Sequence, residues 1–393
     1  MPDDRQHDIV LFGATGFTGA LAAEYLAGHA PEGVSFALAG RSLSKLQALS
    51  ERLKLEVPLI VADVRQPESL RELAASTRVV ISTVGPYIQY GEGLVEACAL
   101  AGTDYADLTG EPEFVDLMYV RHQEKALQSG ARLVHCCGFD SIPHDLGVQF
   151  TVARLPEGVP LKVEGFAKMN ASISGGTLHS AITAFSHLRS SMSVAGERKR
   201  MEPRPPGRSI HGIAGKPHNE PELGWVLPMP TIDPQIVLRS AAALDRYGPD
   251  FSYGHYLVTG SIGAAAAYAG GAIGAIALAQ IGPTRKMMLD RIQPGDGPSP
   301  QRRARSSFVV RFVGQSGGQQ VIAEVSGGDP GYEETAKMLC ESALCLAQDE
   351  LPQLAGQLTP AVAMGSALRE RLQAAGIAFT VLRGGERLED RVG

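Results

Sequence analysis

"IVLFGATGFTGALAAEYLAG" (residues 9–28) is the stretch from which the rest of the chain can be read. An apolar run ends at Gly13, Gly16 and Gly19 follow at intervals of three, and an alanine-rich helical pattern then begins. A strand, a glycine turn and a helix in that order let amides at the helix N-terminus approach a pyrophosphate closely. Gly13, Ala14, Thr15, Gly16, Phe17, Thr18 and Gly19 are therefore candidate cofactor-binding residues. The glycine spacing is weak on its own and gains its weight from the strand before it and the helix after it.

The same alternation continues outward. Apolar runs at 8–13, 35–40, 58–63, 78–83, 104–109 and 131–137 are separated by helical patterns around 17–28, 43–54, 67–76, 91–101 and 113–129. This rhythm predicts an α/β fold, a Rossmann-type doubly wound parallel sheet that binds ligands at the C-terminal ends of its strands. After Pro143 the rhythm changes. A strand is expected over 163–170 and a helix over 176–194, opened by Gly175-Gly176-Thr177. A Pro/Gly-rich loop is expected over 202–234 and a second breaker over 295–306. "SFVVRFVG" (307–314) and "QQVIAEVSG" (319–327) read as a hairpin through Gly317-Gly318, followed by helices over 331–349 and 360–375.

Composition narrows the class. A chain of 393 residues suggests two domains, and 44% hydrophobic with 20% charged residues is ordinary for a globular protein. A net charge of -6 and a pI near 6.0 speak against a nucleic-acid partner. The basic run "GERKRMEPRPPGR" (196–208) lacks interleaved aromatics and reads as a solvated loop. Five cysteines make no disulfide framework or metal-ligand spacing, which points to a reducing cytoplasm and to no metal. The polar, acidic start "MPDDRQHD" is unlike a secretory or transit signal. Residues 257–282 lack any charge and are long enough to span a bilayer, but Ala and Gly drive insertion weakly. A buried or helix-packing segment is expected there, with a hydrophobic groove or peripheral membrane contact as the intermediate readings.

The end of the second strand selects the cofactor. Instead of an acidic residue for ribose hydroxyls it carries Arg41 and Ser42, with Lys45 one turn on. A guanidinium suits a 2′-phosphate, so NADP(H) is favoured. Asp63 and Val64 are placed to reach the adenine edge, although Asp63 equally reads as a loop cap. Thr83, Val84, Gly85 and Pro86 follow the fourth strand, where a nicotinamide ribose would lie, and Tyr87 and Tyr90 offer phenolic donors or packing. In "HCCGFDSIPHDLG" (135–147), Phe139, Asp140 and His144 stand at the mouth of the nicotinamide site, while Asp140 and Ser141 also suit a helix cap. No Tyr is followed four residues later by Lys, and H-E-x-x-H, G-x-S-x-G and P-loop motifs are absent.

These stretches, with "LAGRS", "STVGPY", "YGEGLVEACALAGTDYADLTGE" and "LTPAVAMGSALRERLQAAGI", resemble the saccharopine dehydrogenase-like oxidoreductases. Within that family the chain is most similar to the actinobacterial trans-acting enoyl reductases. These act beside polyketide synthases that lack an enoyl-reductase domain, in phthiocerol and phenolphthiocerol lipid biosynthesis. The resemblance implies an NADP(H)-binding Rossmann domain over 1–150 and an α+β substrate or interaction domain over 151–330. It further implies C-terminal helices over 331–393 that return to the first domain. His144 departs from the pattern, since relatives commonly carry a small polar residue such as serine there.

The activity so implied is NADPH-dependent reduction of a polyketide- or lipid-like α,β-unsaturated thioester. Tyr87 or a backbone amide near Gly138 would meet the enolate oxygen, and His144 is a candidate proton donor. Substrate contacts are expected from Tyr87, Tyr90, Phe139 and Asp140. Two alternatives stay open: an imine or amino-acid oxidoreductase, which would call on cations such as Arg189, Arg198, Lys199 and Arg200, and a non-catalytic NADP(H)-binding protein. The expected partners are a small-molecule or acyl-thioester substrate and a polyketide synthase, with self-association an open reading.

Overall fold

The computed structural model describes residues 5–170, 188–279, 284 and 297–384. Two sheets organise them. The first is entirely parallel and contains β1 (His7–Phe12), β2 (Phe36–Gly40), β3 (Leu59–Val61), β4 (Thr77–Ser82), β5 (Asp104–Asp107), β6 (Arg132–Val134) and β14 (Gly356–Leu358). Its order is β14-β6-β5-β4-β1-β2-β3. Helices cover both faces, so the central strands are apolar on both sides; Ile9, Val10 and Leu11 are fully buried. From β1 the chain winds outward to β3, then returns to β4 and winds the other way. The switch point thus falls between β1 and β4, where the glycine turn meets Thr83.

The connecting helices are α1 (Phe17–His29), α2 (Leu43–Leu53), α3 (Pro67–Ala75), α4 (Tyr87–Tyr90), α5 (Glu92–Ala101), α6 (Pro112–Ser129) and α7 (Ile142–Val152). Proline opens α3, α6 and α7 in the first turn, where its missing N–H costs nothing. The left-handed glycines Gly102 and Gly130 end α5 and α6.

The second sheet is mixed. Its strands are β7 (Leu161–Asn170), β8 (Ser209–Gly212), β9 (His218–Glu220), β10 (Gly224–Pro228), β11 (Asp250–Gly260), β12 (Ser307–Ser316), β13 (Gln319–Gly327) and β15 (Ala378–Arg383). The order is β15-β13-β12-β7-β11-β10-β9, with β8 also pairing β11. Ser316 pairs with Gln319 across the Gly317-Gly318 turn. The two layers share one core: Leu146, Val148 and Phe150 of α7 pack with Phe312 and Val325. Gly147 permits this approach, because a Cβ there would lie 2.3 Å from the Phe312 ring. The end of the chain serves both layers, with helix Glu333–Gln348 against α1 and β4, β14 extending the first sheet, and β15 pairing β13.

Three expectations need correction. The region 202–234 is not an unbroken loop, because it contributes β8, β9 and β10. The basic run 196–208 is not a solvated loop. Its start completes helix Leu188–Met201, and buried Arg198 pairs with Asp116 at 2.7 Å. Arg208 donates to the carbonyls of Ala241 and Leu244, satisfying the C-terminus of helix Asp233–Ala243. The Gly175-Gly176-Thr177 opening of the helix expected over 176–194 lies outside the described residues.

The third correction concerns the apolar segment. It leaves β11 as helix Ile262–Ala279, and Ile262, Tyr268 and Leu278 are 62%, 50% and 46% exposed, so the helix is not buried. Methyl groups and hydrogens offer little area to bury, so such a helix gains little by packing. Among the described residues, no helix is long and apolar enough to cross a membrane.

Candidate active site

The glycine turn is built for close approach. Gly13 has φ +89° and a Cβ on it would lie 2.7 Å from both Thr83 Oγ1 and Val84 Cγ2. A Cβ on Gly19 would lie 2.1 Å from the Gly13 carbonyl oxygen, so only glycine lets α1 start here. The Gly13 amide donates to the Ala39 carbonyl at 2.9 Å, tying the turn to the end of β2. Gly16 at the N-cap supplies no capping side chain, and the first turn carries no acid. The positive end of α1 is thereby left for a phosphate. Thr15 is exposed and faces Gly40, beside Arg41. The ring of Phe17 stands edge-on to Tyr332, with centroids 4.8 Å apart.

Around this turn, the adenine side is formed at β2 and β3. Arg41 and Lys45 are exposed, and Ser42 caps α2 by accepting from the Lys45 amide. The carboxylate of Asp63 accepts from the Arg65 backbone at 3.0 Å and from its guanidinium, which holds it down at about 2. The Asp63 side chain therefore shapes its own loop, with Val64 half-buried beside it.

On the other side, the ends of β4, β5 and β6 meet. Thr83 donates to the Gly13 carbonyl at 3.1 Å, and the exposed Gly85 precedes a cis Pro86. Tyr87 is buried; its hydroxyl donates to the Ser82 carbonyl at 2.9 Å and accepts from the Leu108 amide at 3.2 Å. Both functions of the phenol are used to join β4 to β5, so its geometry is that of a scaffold. Tyr90 is 44% exposed. Glu111 accepts from the amides of Tyr87 and Ile88 at 3.0 and 2.9 Å, a role sequence reading missed. A second missed pair is Asp107 and His135, buried and 2.7 Å apart, with the other Asp107 oxygen accepting from the Cys136 amide.

The loop after β6 carries the remaining candidates. Asp140 is half-buried and lies against Gly110, while Phe139 is buried between His144 and Phe308. Burial, with a smaller contribution from the Asp233 charge, pushes the Asp140 carboxyl up to about 7. His144 is fully buried on α7 and faces Asp233 and His255 of the second layer. The sequence reading placed it at the mouth of the site; the fold places it behind Phe139.

A phosphate-receptive turn at the switch point, with a cation at the end of β2, matches a known pattern. The saccharopine dehydrogenase NADP-binding domain matches residues 9–134. A Mycobacterium tuberculosis protein provisionally named a trans-acting enoyl reductase is 37% identical, over 96% of this chain and 98% of its own length. Trans-acting enoyl reductases of Mycobacterium bovis and Mycobacterium ulcerans are 34% and 35% identical, over 97% and 96% of this chain and 99% and 98% of theirs. The chain belongs to the saccharopine dehydrogenase-like oxidoreductases, in the group of the trans-acting enoyl reductases. The fold agrees: saccharopine dehydrogenase (L-Glu forming) from Saccharomyces cerevisiae superposes with a TM-score of 0.56 at 13% identity, covering 96% of this chain and 100% of that one. This oxidoreductase uses NADP(H), and the cradle at Gly13, Gly16 and Gly19 fits it, because a Cβ on Gly13 or Gly19 would collide with its surroundings.

Proposed function

We propose that this oxidoreductase reduces an α,β-unsaturated acyl thioester, working in trans beside a polyketide synthase in the reducing cytoplasm. The substrate class is supported by the state of buried Arg198, the one cation of the rival reading that lies inside the fold among the described residues, and of the largely buried Arg239 beside it, Lys199 and Arg200 being exposed. An amino-acid imine brings carboxylates that require free cations. Arg198 is engaged by Asp116 and Glu202, and Arg239 by Glu202 and Gln357. The edge formed by β4–β6 instead carries exposed Tyr90 and partly buried Leu108, groups suited to an acyl chain, in front of buried Phe139.

When bound, NADPH supplies a hydride for the β-carbon of the enoyl group. The protein does the rest. The first turn of α1 holds the pyrophosphate, Arg41 and Ser42 face the 2′-phosphate, and Asp63 and Val64 border the adenine. Thr83, Val84, Gly85 and Pro86 line the ribose on the nicotinamide side. One backbone amide near Gly138 meets the enolate oxygen, those of Cys137 and Phe139 already donating to the Asp107 carbonyl and to Thr335. Asp140, at the accessible end of the β6 loop, delivers the proton to the α-carbon. The exposed helix Ile262–Ala279 offers a surface for the acyl carrier, for a membrane or for a second copy of the chain.

The test is oxidation of NADPH, followed by absorbance, with enoyl thioesters of several chain lengths and with an α-keto acid plus amine. Turnover with the thioesters alone is expected. Turnover only with the keto acid and amine would reverse the substrate assignment, and cofactor binding without any turnover would support a non-catalytic role.

A further inference from the structure

Behind Phe139, three residues far apart in sequence converge: His144 on α7, Asp233 at the start of helix Asp233–Ala243, and His255 on β11. All three side chains are essentially unexposed. His144 Nδ1 lies 3.1 Å from Asp233 Oδ1, and His255 Nε2 lies 3.5 Å from Asp233 Oδ2. Yet both ring nitrogens of His144, Oδ1 of Asp233 and Nε2 of His255 have no aligned hydrogen-bond partner among the described residues. A buried polar atom left unsatisfied loses its hydration without replacement, a cost that a bound cation would remove.

We propose that these three side chains form a binding site for one first-row divalent cation, zinc being the ion that suits them best. Two imidazole nitrogens and one carboxylate are a recurring donor set for such ions. With metal–ligand bonds of about 2.0–2.1 Å, neighbouring donors on a tetrahedral ion lie roughly 3.4 Å apart. The two separations, 3.1 Å to Asp233 Oδ1 and 3.5 Å to Asp233 Oδ2, run one to each carboxylate oxygen and lie close to that value, and one donor from each residue lies within 4.8 Å of the others. An ion here would satisfy three of the four orphaned atoms together, leaving only His144 Nε2.

The surroundings orient the donors. The Tyr253 hydroxyl lies 3.1 Å from His255 Nδ1; with Nδ1–H donating to it, Nε2 presents its lone pair to the site. Thr231 donates to Asp233 Oδ2, fixing the carboxylate plane. The three donors leave a fourth position, which in a site this enclosed falls to a water or to the second Asp233 oxygen. The site is therefore structural in kind. It would clamp the start of α7, which follows the nucleotide-binding sheet, onto two elements of the second layer.

The test uses the full chain purified without a polyhistidine tag or chelator, with metal content measured by plasma mass spectrometry. About one zinc per chain is expected in the parent protein, and background levels in Asp233→Asn and His255→Gln, each checked for folding by circular dichroism and NADPH binding. Cobalt loading should give the visible bands of tetrahedral nitrogen and oxygen ligation without thiolate charge transfer. Tyr253→Phe should weaken zinc binding about 10-fold while preserving the fold. Parent protein that holds no zinc and shows no zinc-dependent rise in Tm would overturn the site. So would zinc that persists in both ligand variants, or a thiolate signature pointing to the cysteines.

Discussion

The nucleotide turn and the buried His144–Asp233–His255 group are built on opposite principles. The turn is contiguous, partly open, and shaped by what its residues lack: side chains at Gly13 and Gly19 and a cap at Gly16. The buried group is assembled from three distant stretches, closed to solvent, and shaped by what its residues carry. A site that must admit a large ligand keeps its amides free and its walls thin. A site that ties elements together can afford full burial, provided its polar atoms find partners.

The two should therefore fail differently when broken. Gly19→Val forces atoms into the Gly13 carbonyl and is expected to cost about 4 kcal/mol of cofactor binding, roughly a thousand-fold in NADPH affinity by fluorescence titration. Asp233→Ala leaves two buried imidazoles without their anion and should destabilise the fold by about 3 kcal/mol. Denaturant melts would show this, with NADPH affinity changing far less. If instead Asp233→Ala abolished cofactor binding at unchanged stability, the separation of the two regions would collapse.

Smaller changes sharpen the contrast. Arg41→Ala should weaken NADPH binding by about 2 kcal/mol, leaving NADH binding unaltered; equal losses for both cofactors would show that Arg41 does not meet the 2′-phosphate. Glu111→Gln removes the charge that caps Tyr87 and Ile88 and should cost about 1 kcal/mol of stability, seen as a lowered Tm. Ile262→Ser, on the exposed helix, should alter stability by less than about 0.5 kcal/mol. A large loss there would mean that the helix is covered in solution.

Much of the first layer was legible because its signals are local. Alternating apolar runs and helical patterns predict β1–β6 and their helices, and the Gly317-Gly318 turn predicts the β12–β13 hairpin. The cofactor followed from one residue, Arg41, at a position defined by the fold. Elsewhere local signals misled. The run 196–208 looked solvated because it is charged, but Arg198 is buried by Asp116, 82 residues away in sequence. The segment 257–282 was expected to be buried or to pack as a helix because it is uncharged, but its described helix, Ile262–Ala279, leaves Ile262, Tyr268 and Leu278 exposed, its small side chains offering little area to bury. Tyr87 and His144 were chosen for their chemistry, and neither Tyr87's hydrogen bonds to Ser82 and Leu108 nor His144's burial behind Phe139 has a signature in residue spacing.

Residue order alone dictates the glycine turn, since strand, turn and helix N-terminus are consecutive and each glycine answers a steric demand of its neighbours. No cysteine or histidine spacing announced a metal, because His144, Asp233 and His255 are separated by 89 and 22 positions. Only the folding of α7 onto the second sheet brings those three donors within bonding reach of one ion. Pairwise distances of this kind depend on how two layers pack, and periodicity within a strand or helix carries no record of them.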